Sequence, residues 1–213
     1  MPRGKSTNNL KRSSGNNNPR GYFLIVVEGT TEKNYFESLV ESELQLSTTK
    51  IKIASADGGD PLVTVNKAHK ESAGSTIKFD QVFCIFDDDN KPDKYKQALN
   101  KAKKYNFESI TSIPCFEFWF LLHCCYTASP LSSYDELRPK LEAEMRKEGI
   151  LQKEETYNKS DRLLYEKLKS NQEKAISHAI QLEQKHPNED GCTKPSTKVH
   201  ILIDKLQKQK NFE

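Results

Sequence analysis

The sequence predicts an α/β domain: a mainly parallel sheet flanked by helices, with a C-terminal helical elaboration. Three observations predict it. Runs such as YFLIVV (Tyr22 to Val27) are continuously apolar and β-rich, as strands covered on both faces require. Each run leads into a segment whose apolar residues recur at helical spacing. Beyond Ser129 only helical spacing remains. Alternating strands and helices imply right-handed crossovers and parallel pairing.

The elements follow in order. After Tyr22 to Val27 come Glu28 and Gly29, and then TTEKNYFESLVESEL, in which Tyr35, Phe36, Leu39, Val40 and Leu44 mark one helical face. KIKIAS (Lys50 to Ser55) alternates as a second strand and is closed by DGGDP, with Pro61 at the first position of the next helix. Gln81 to Phe86 is a third strand, followed by a lysine-rich helix from Pro92 to Tyr105. Ser109 to Ile113 is a short fourth strand, after which Pro114 opens the aromatic helix CFEFWFLLH. Helical segments are expected over Ser133 to Lys147, Ser160 to His186 and Ser196 to Gln209, the last with Val199, Leu202, Ile203 and Leu206 on one side. The expected organisation is a disordered basic tail over residues 1–20, an α/β core over 21–128 and a helical extension packed on it over 129–213.

With 213 residues, 30% of them charged, the chain accommodates one substantial core and has no apolar run long enough to span a membrane. The N-terminus is basic but has no hydrophobic segment behind it, so no signal peptide is read and a cytoplasmic location is expected. Cys84, Cys115, Cys124, Cys125 and Cys192 show no CxxC pairing and read as reduced core residues. The net charge of +3 is uneven: Arg3, Lys5, Lys11, Arg12 and Arg20 stand in a tail without acids, which leaves 28 basic residues (33 less those five) against 30 acidic ones. Such a tail is either a nucleic-acid arm or a solubilising end. No GxxxxGKS/T loop is present, which argues against an ATPase in this chain.

The chemistry is carried by acids. Glu28 ends the first strand and Asp87 the third, so a parallel sheet projects both from its carboxyl edge, where open α/β folds bind ligands. Asp89 lies two residues on and points the same way in an extended chain, whereas Asp88 points elsewhere; Glu117, just after the fourth strand, faces the same rim. Converging carboxylates do not all stay ionised without a counter-charge, and a divalent cation supplies one. An all-oxygen donor set favours Mg²⁺ or Mn²⁺ over zinc. The ion would bridge to phosphodiester oxygens and generate a nucleophilic hydroxide, and a second ion about 4 Å away would stabilise the leaving oxygen too. Glu32 is a further candidate ligand, although a first-turn carboxylate also gains about 0.3–1 kcal/mol from the helix dipole. Each acid taken singly has such a structural reading, and the Asp87 to Asn90 stretch also reads as a polar turn. The combination carries the argument. Lys91, Lys94, Lys96, Lys101, Lys103 and Lys104 follow the acids directly and are read as phosphate contacts beside the metal, the same residues being ordinary on an exposed helix. His123 and the Phe116, Trp119 and Phe120 set read as core; His200 reads as core or as facing the sheet rim.

VVEGTTEKNYF followed by an apolar strand ending in Asp-x-Asp resembles the Toprim domain of type IA and II topoisomerases, bacterial primases and OLD-family nucleases. More narrowly, EGTTEKNYFESL, FCIFDDDN, IPCFEFWFLLH and KPSTKVHILIDKL together resemble the RloB-like proteins, including AbiLii-type abortive-infection proteins, linked to restriction loci and phage abortive infection. The resemblance implies a Toprim-like core with metal on Glu28, Asp87 and Asp89, and Glu28 as general acid or base. Cys115-Phe116-Glu117 is similar to the Ser-x-Glu of OLD nucleases, with cysteine in place of serine. A late lysine in some of these enzymes corresponds to Lys194 or Lys198, which adds Lys198 to the expected nucleic-acid contacts. The function expected is a Mg²⁺- or Mn²⁺-dependent endonuclease acting on DNA or RNA in phage defence. The alternative is a non-enzymatic module that binds nucleic acid or a separately encoded partner ATPase. Haloacid-dehalogenase phosphatases fit less well, because their Asp-x-Asp ends the first strand, where this chain has Glu28.

Overall fold

The computed structural model describes residues 21–44, 50–88, 90–185 and 195–210. The basic tail at 1–20, Cys192, Lys194 and Asp89 lie outside them, so the expectations placed there have no structural counterpart.

The sheet has five strands: β1 (Phe23–Val27), β2 (Ile51–Ser55), β3 (Gln81–Asp87), β4 (Glu108–Ile113) and β5 (Ser196–Thr197), in the order β2-β1-β3-β4-β5. The first four are parallel and β5 is antiparallel to β4. Burial of every β1 residue explains its unbroken apolar run, because both faces of the strand are covered. Phe23, Ile25 and Val27 join one core cluster with Phe83 and Ile85 of β3; Leu24 and Val26 join the other with Val82, Cys84 and Phe86. This is the period-two alternation of a strand applied to two hydrophobic layers.

The second layer is thin and consists of α2 (Pro61–Ala73) and α3 (Pro92–Lys104). Helix α2 starts where expected: Asp60 accepts the Leu62 and Val63 N–H groups at 3.0 and 3.2 Å, and Pro61 needs no donor at the first position. The turn before it runs through positive φ at Asp57, Gly58 and Gly59, of which Gly59 (φ 126°) also sits against Val63.

The first layer is thick. It holds α1 (Thr30–Leu39), which runs into a π-helical turn (Val40–Leu44), then α4 (Glu117–Cys124), α5 (Tyr134–Lys147), α6 (Leu164–Leu168), α7 (Gln172–Lys185) and α8 (Val199–Lys210). Every residue of α4 is buried, so its aromatics are core, as read from the sequence. One cluster contains residues from both sides of position 129, among them Trp119, Leu137, Tyr165 and Leu202, so the late helices share the core of the earlier ones. The Trp119 indole N–H donates to the Tyr35 hydroxyl at 2.9 Å and ties α4 to α1. His123 sits wholly inside, where burial lowers its pKa to about 4 and keeps it neutral, with Nδ1 2.9 Å from the Trp119 carbonyl. Cys84, Cys115, Cys124 and Cys125 are free thiols. Among the described residues no helix is long and apolar enough to cross a membrane.

Three expectations are corrected. The segment from Ser160 is not one helix: Asn158 Oδ1 accepts the Ser160 N–H at 3.0 Å and Asp161 Oδ1 the Leu163 N–H at 2.9 Å, side-chain turns that hold the chain out of a helix until Leu164. A 3₁₀ turn at Lys169–Asn171 then separates α6 from α7. Ser196 does not open the last helix, because Ser196 and Thr197 pair with Ile113 and Ser112 as β5. The aromatic helix begins at Glu117, three residues after Pro114, once a turn has placed Phe116.

Trp119→Ala should cost about 3–5 kcal/mol in guanidinium unfolding, since it opens a cavity at the junction of α1 and α4. Val63→Ala, at a site 41% exposed, should change stability by less than about 0.5 kcal/mol.

Candidate active site

Parallel register brings the acids together. Val27 lies opposite Ile85, so Glu28 leaves β1 beside the end of β3, and its Oε2 accepts the Asp87 N–H at 3.3 Å. Asp87, the last residue of β3, lies opposite Ser112 of β4. The chain then turns beyond Ile113 so that the Phe116 N–H donates to Asp87 Oδ2 at 2.8 Å. Glu117 follows in the first turn of α4 and is buried. From the other side, α1 places Glu32 one turn beyond Glu28, where its carboxylate accepts the Gly29 N–H at 3.2 Å. Structure thus gathers Glu28, Glu32, Asp87 and Glu117 at the carboxyl edge, close enough that the other three all act on Asp87.

The cluster is dry. Burial, and then the charges of Glu32, Glu117 and Glu28, push the Asp87 pKa well above the usual carboxylate range, against the Phe116 N–H, which lowers it. Glu32 rises to about 7, first through burial and then through Glu117 and Glu28, with backbone hydrogen bonds opposing. Asp87 Oδ1 is buried and has no hydrogen-bond partner among the described residues. Such an oxygen is expensive to bury unless it is protonated or something positive belongs beside it.

Two residues that sequence reasoning did not place complete the site. The Tyr157 hydroxyl, 5% exposed, donates to Glu117 Oε1 at 3.4 Å. Lys159 pairs its ammonium with the same oxygen at 3.0 Å and lays it over the Tyr134 ring, 3.7 Å from the centroid. Burial alone would lower the Lys159 pKa, but Glu117 outweighs it and the net shift is upward. Burial and Glu117 push the Tyr157 pKa up as well, so the phenol keeps its proton. The Cys115 thiol beside them is held protonated by burial and by the Glu117 and Asp87 charges. Both residues stand in the connection between α5 and α6, where no apolar period advertises a role.

The lysines read from the sequence spread out. Lys91 is exposed at the acidic edge, just before α3. Lys94 pairs with Asp60 at 3.4 Å on the same edge. Lys101 and Lys104 lie further along α3, roughly 13 and 18 Å from its first residue at about 1.5 Å per residue. There they line a shallow cleft with Leu62, Gln97, Asn100 and Tyr105, in the layer on the other side of the sheet from α1 and α4. Lys198 is exposed; its N–H donates to the Thr111 carbonyl, set back from the strand ends. His200 is buried with Nε2 3.3 Å from Glu183 and belongs to the packing of α7 on α8.

In metal-free protein, the raised Glu32 pKa makes stability fall as pH rises. Between about 4.5 and 7 the unfolded chain has released this proton and the folded chain retains it, so the unfolded state gains up to about 3 kcal/mol, and above 7 the loss is complete. Thermal melts in EDTA should show Tm dropping over that window, and Glu32→Gln should flatten the drop and raise Tm at pH 8.

Searches of curated proteins and of solved structures returned no match to this chain. A family model described as RloB-like protein matches residues 23–206. That span runs from the first residue of β1 through β5 into α8 and contains every acid of the cluster, so the chain belongs to the RloB-like family.

Proposed function

We propose that this protein is a Mg²⁺- or Mn²⁺-dependent nuclease that hydrolyses phosphodiester bonds of DNA or RNA on a Toprim-like core, in a phage-defence, abortive-infection or restriction-linked setting. The setting follows from the resemblance to RloB-like proteins. The chemistry rests above all on Asp87: a buried carboxylate at a strand end, one oxygen fixed by the Phe116 N–H and the other without a hydrogen-bond partner among the described residues, beside Glu28, Glu32 and Glu117.

The donor set fits a hard cation, being all carboxylate oxygen. Glu28, Asp87 and Glu117 would hold it, with Glu32 beside them; Asp89, expected from the sequence as a further ligand, lies outside the described residues. Bound there, such an ion neutralises charge building on a phosphodiester oxygen and makes an attacking water more acidic. The chain's own groups do the remaining work. Glu28 is only half-buried where Asp87, Glu32 and Glu117 are buried, so it is the carboxylate placed to exchange a proton with water and serves as general acid or base. Phe116 orients Asp87 through its N–H, and Tyr157 orients Glu117 through its hydroxyl. Phe120, packed against Tyr157, keeps bulk water from the inner side.

One observation favours a second reading, in which the module binds nucleic acid or a partner ATPase without cleaving. Lys159 already neutralises part of the acidic cluster from within the chain.

Cleavage assays with Mg²⁺ or Mn²⁺ should show activity in the wild type and a fall of about 10²–10⁴-fold in Glu28→Ala, the range expected for a lost general acid or base. Asp87→Ala should fall at least as far. Equal cleavage by all three proteins, or none by any, would discard the nuclease in favour of the binding module.

A further inference from the structure

Lys159 differs from the lysines that the sequence singled out. Its backbone is pinned over the first turns of α1: Thr31 Oγ1 donates to the Lys159 carbonyl at 3.1 Å and Asn34 Nδ2 to the Ser160 carbonyl at 3.3 Å. The ammonium therefore arrives at Glu117 from a fixed anchor on the helix that also carries Glu32. Its side chain is 50% exposed, whereas that of Glu117 is 3% exposed. Lys159 thus contacts a buried acid at one end and meets solvent along its length. The Tyr134 ring beneath it supplies a second, uncharged resting place for a cation. Glu117 Oε1 is thus occupied by Lys159 and Tyr157, and a metal ion that needs this oxygen has to take it from them.

We propose that Lys159 is a built-in counter-cation: it holds Glu117 while no divalent ion is bound, yields that carboxylate to the ion, and then contacts a phosphate of the incoming strand. The inference rests on the metal-dependent reading above and adds the residue that couples ion loading to substrate capture. It also explains how the chain keeps buried acids folded before any ion arrives. The ion replaces the charge that Lys159 withdraws from Glu117, and the half-exposed ammonium is then free to pair with a phosphodiester.

Calorimetry with Mn²⁺ tests the first half without any assay of cleavage. Lys159→Met should bind Mn²⁺ about two- to five-fold more tightly than wild type, the gain expected from losing a half-exposed competing pair. Lys159→Arg, which retains the charge, should bind as wild type does. Anisotropy with a short oligonucleotide in Ca²⁺, offered single-stranded and as a duplex, tests the second half. The slope of log affinity against log salt should become shallower in Lys159→Met by about 0.7 for a single strand or 0.9 for a duplex, one phosphate contact. Unchanged Mn²⁺ affinity in Lys159→Met, or an unchanged salt slope, overturns this inference and leaves the metal centre standing. Absence of Mn²⁺ binding in the wild type overturns both.

Discussion

Repulsion among buried carboxylates is the constraint around which the rest of this molecule is arranged. Glu32, Asp87 and Glu117 are each almost sealed from water, and Glu28 is half-sealed beside them. A protein gains nothing in stability from such a grouping, since every added anion raises the cost of ionising its neighbours. The compensations are all local and all short of complete: the Phe116 N–H on one oxygen of Asp87, the Gly29 N–H on Glu32, the Asp87 N–H on Glu28, and Tyr157 with Lys159 on Glu117. Asp87 Oδ1 has no hydrogen-bond partner among the described residues. Strain of this kind persists only where the surrounding scaffold is stiff enough to enforce it.

That stiffness comes from the thick helical layer. Helix α4 is buried along its whole length between the sheet and the helices that follow, so Glu117 at its start has no freedom to retreat from Asp87. Its partner across the site, α1, is fixed to it by the Trp119 to Tyr35 hydrogen bond and the edge contact of Tyr35 with Phe116, and to α6 by the edge contact of Tyr35 with Tyr165. The two helices that carry Glu32 and Glu117 are therefore locked by apolar packing, which is indifferent to the charge it confines. Packing energy holds the acids in place, and electrostatics then decides what binds there.

Much of this was legible in the sequence, for identifiable reasons. Strands buried on both faces write unbroken apolar runs, so β1 and β3 and the acids at their ends declared themselves, and parallel alternation fixed the common edge. Glu117 was readable because it follows β4 by a short turn. Other features left no such trace. A two-residue strand has no period, so β5 read as the start of a helix. Lys159 and Tyr157 act from a connection stabilised by side-chain turns, and their contacts reach Glu117 and α1 across long stretches of chain, which pattern reading does not see. The run of lysines after Asn90 spreads out in the fold. Adjacency in sequence became distance in space, because α3 carries Lys101 and Lys104 back along the far side of the sheet.

The antiparallel strand β5 has a consequence for the order of events at the ribosome. Residues 196–197 pair with Ser112 and Ile113, next to the turn that positions Phe116, and α8 then seals the layer. Contacts that distant in sequence are paid for late in folding. The nascent chain therefore exposes an open flank of β4 until residues 196–197 have been made. The turn that positions Phe116 gains its neighbouring strand only after that point.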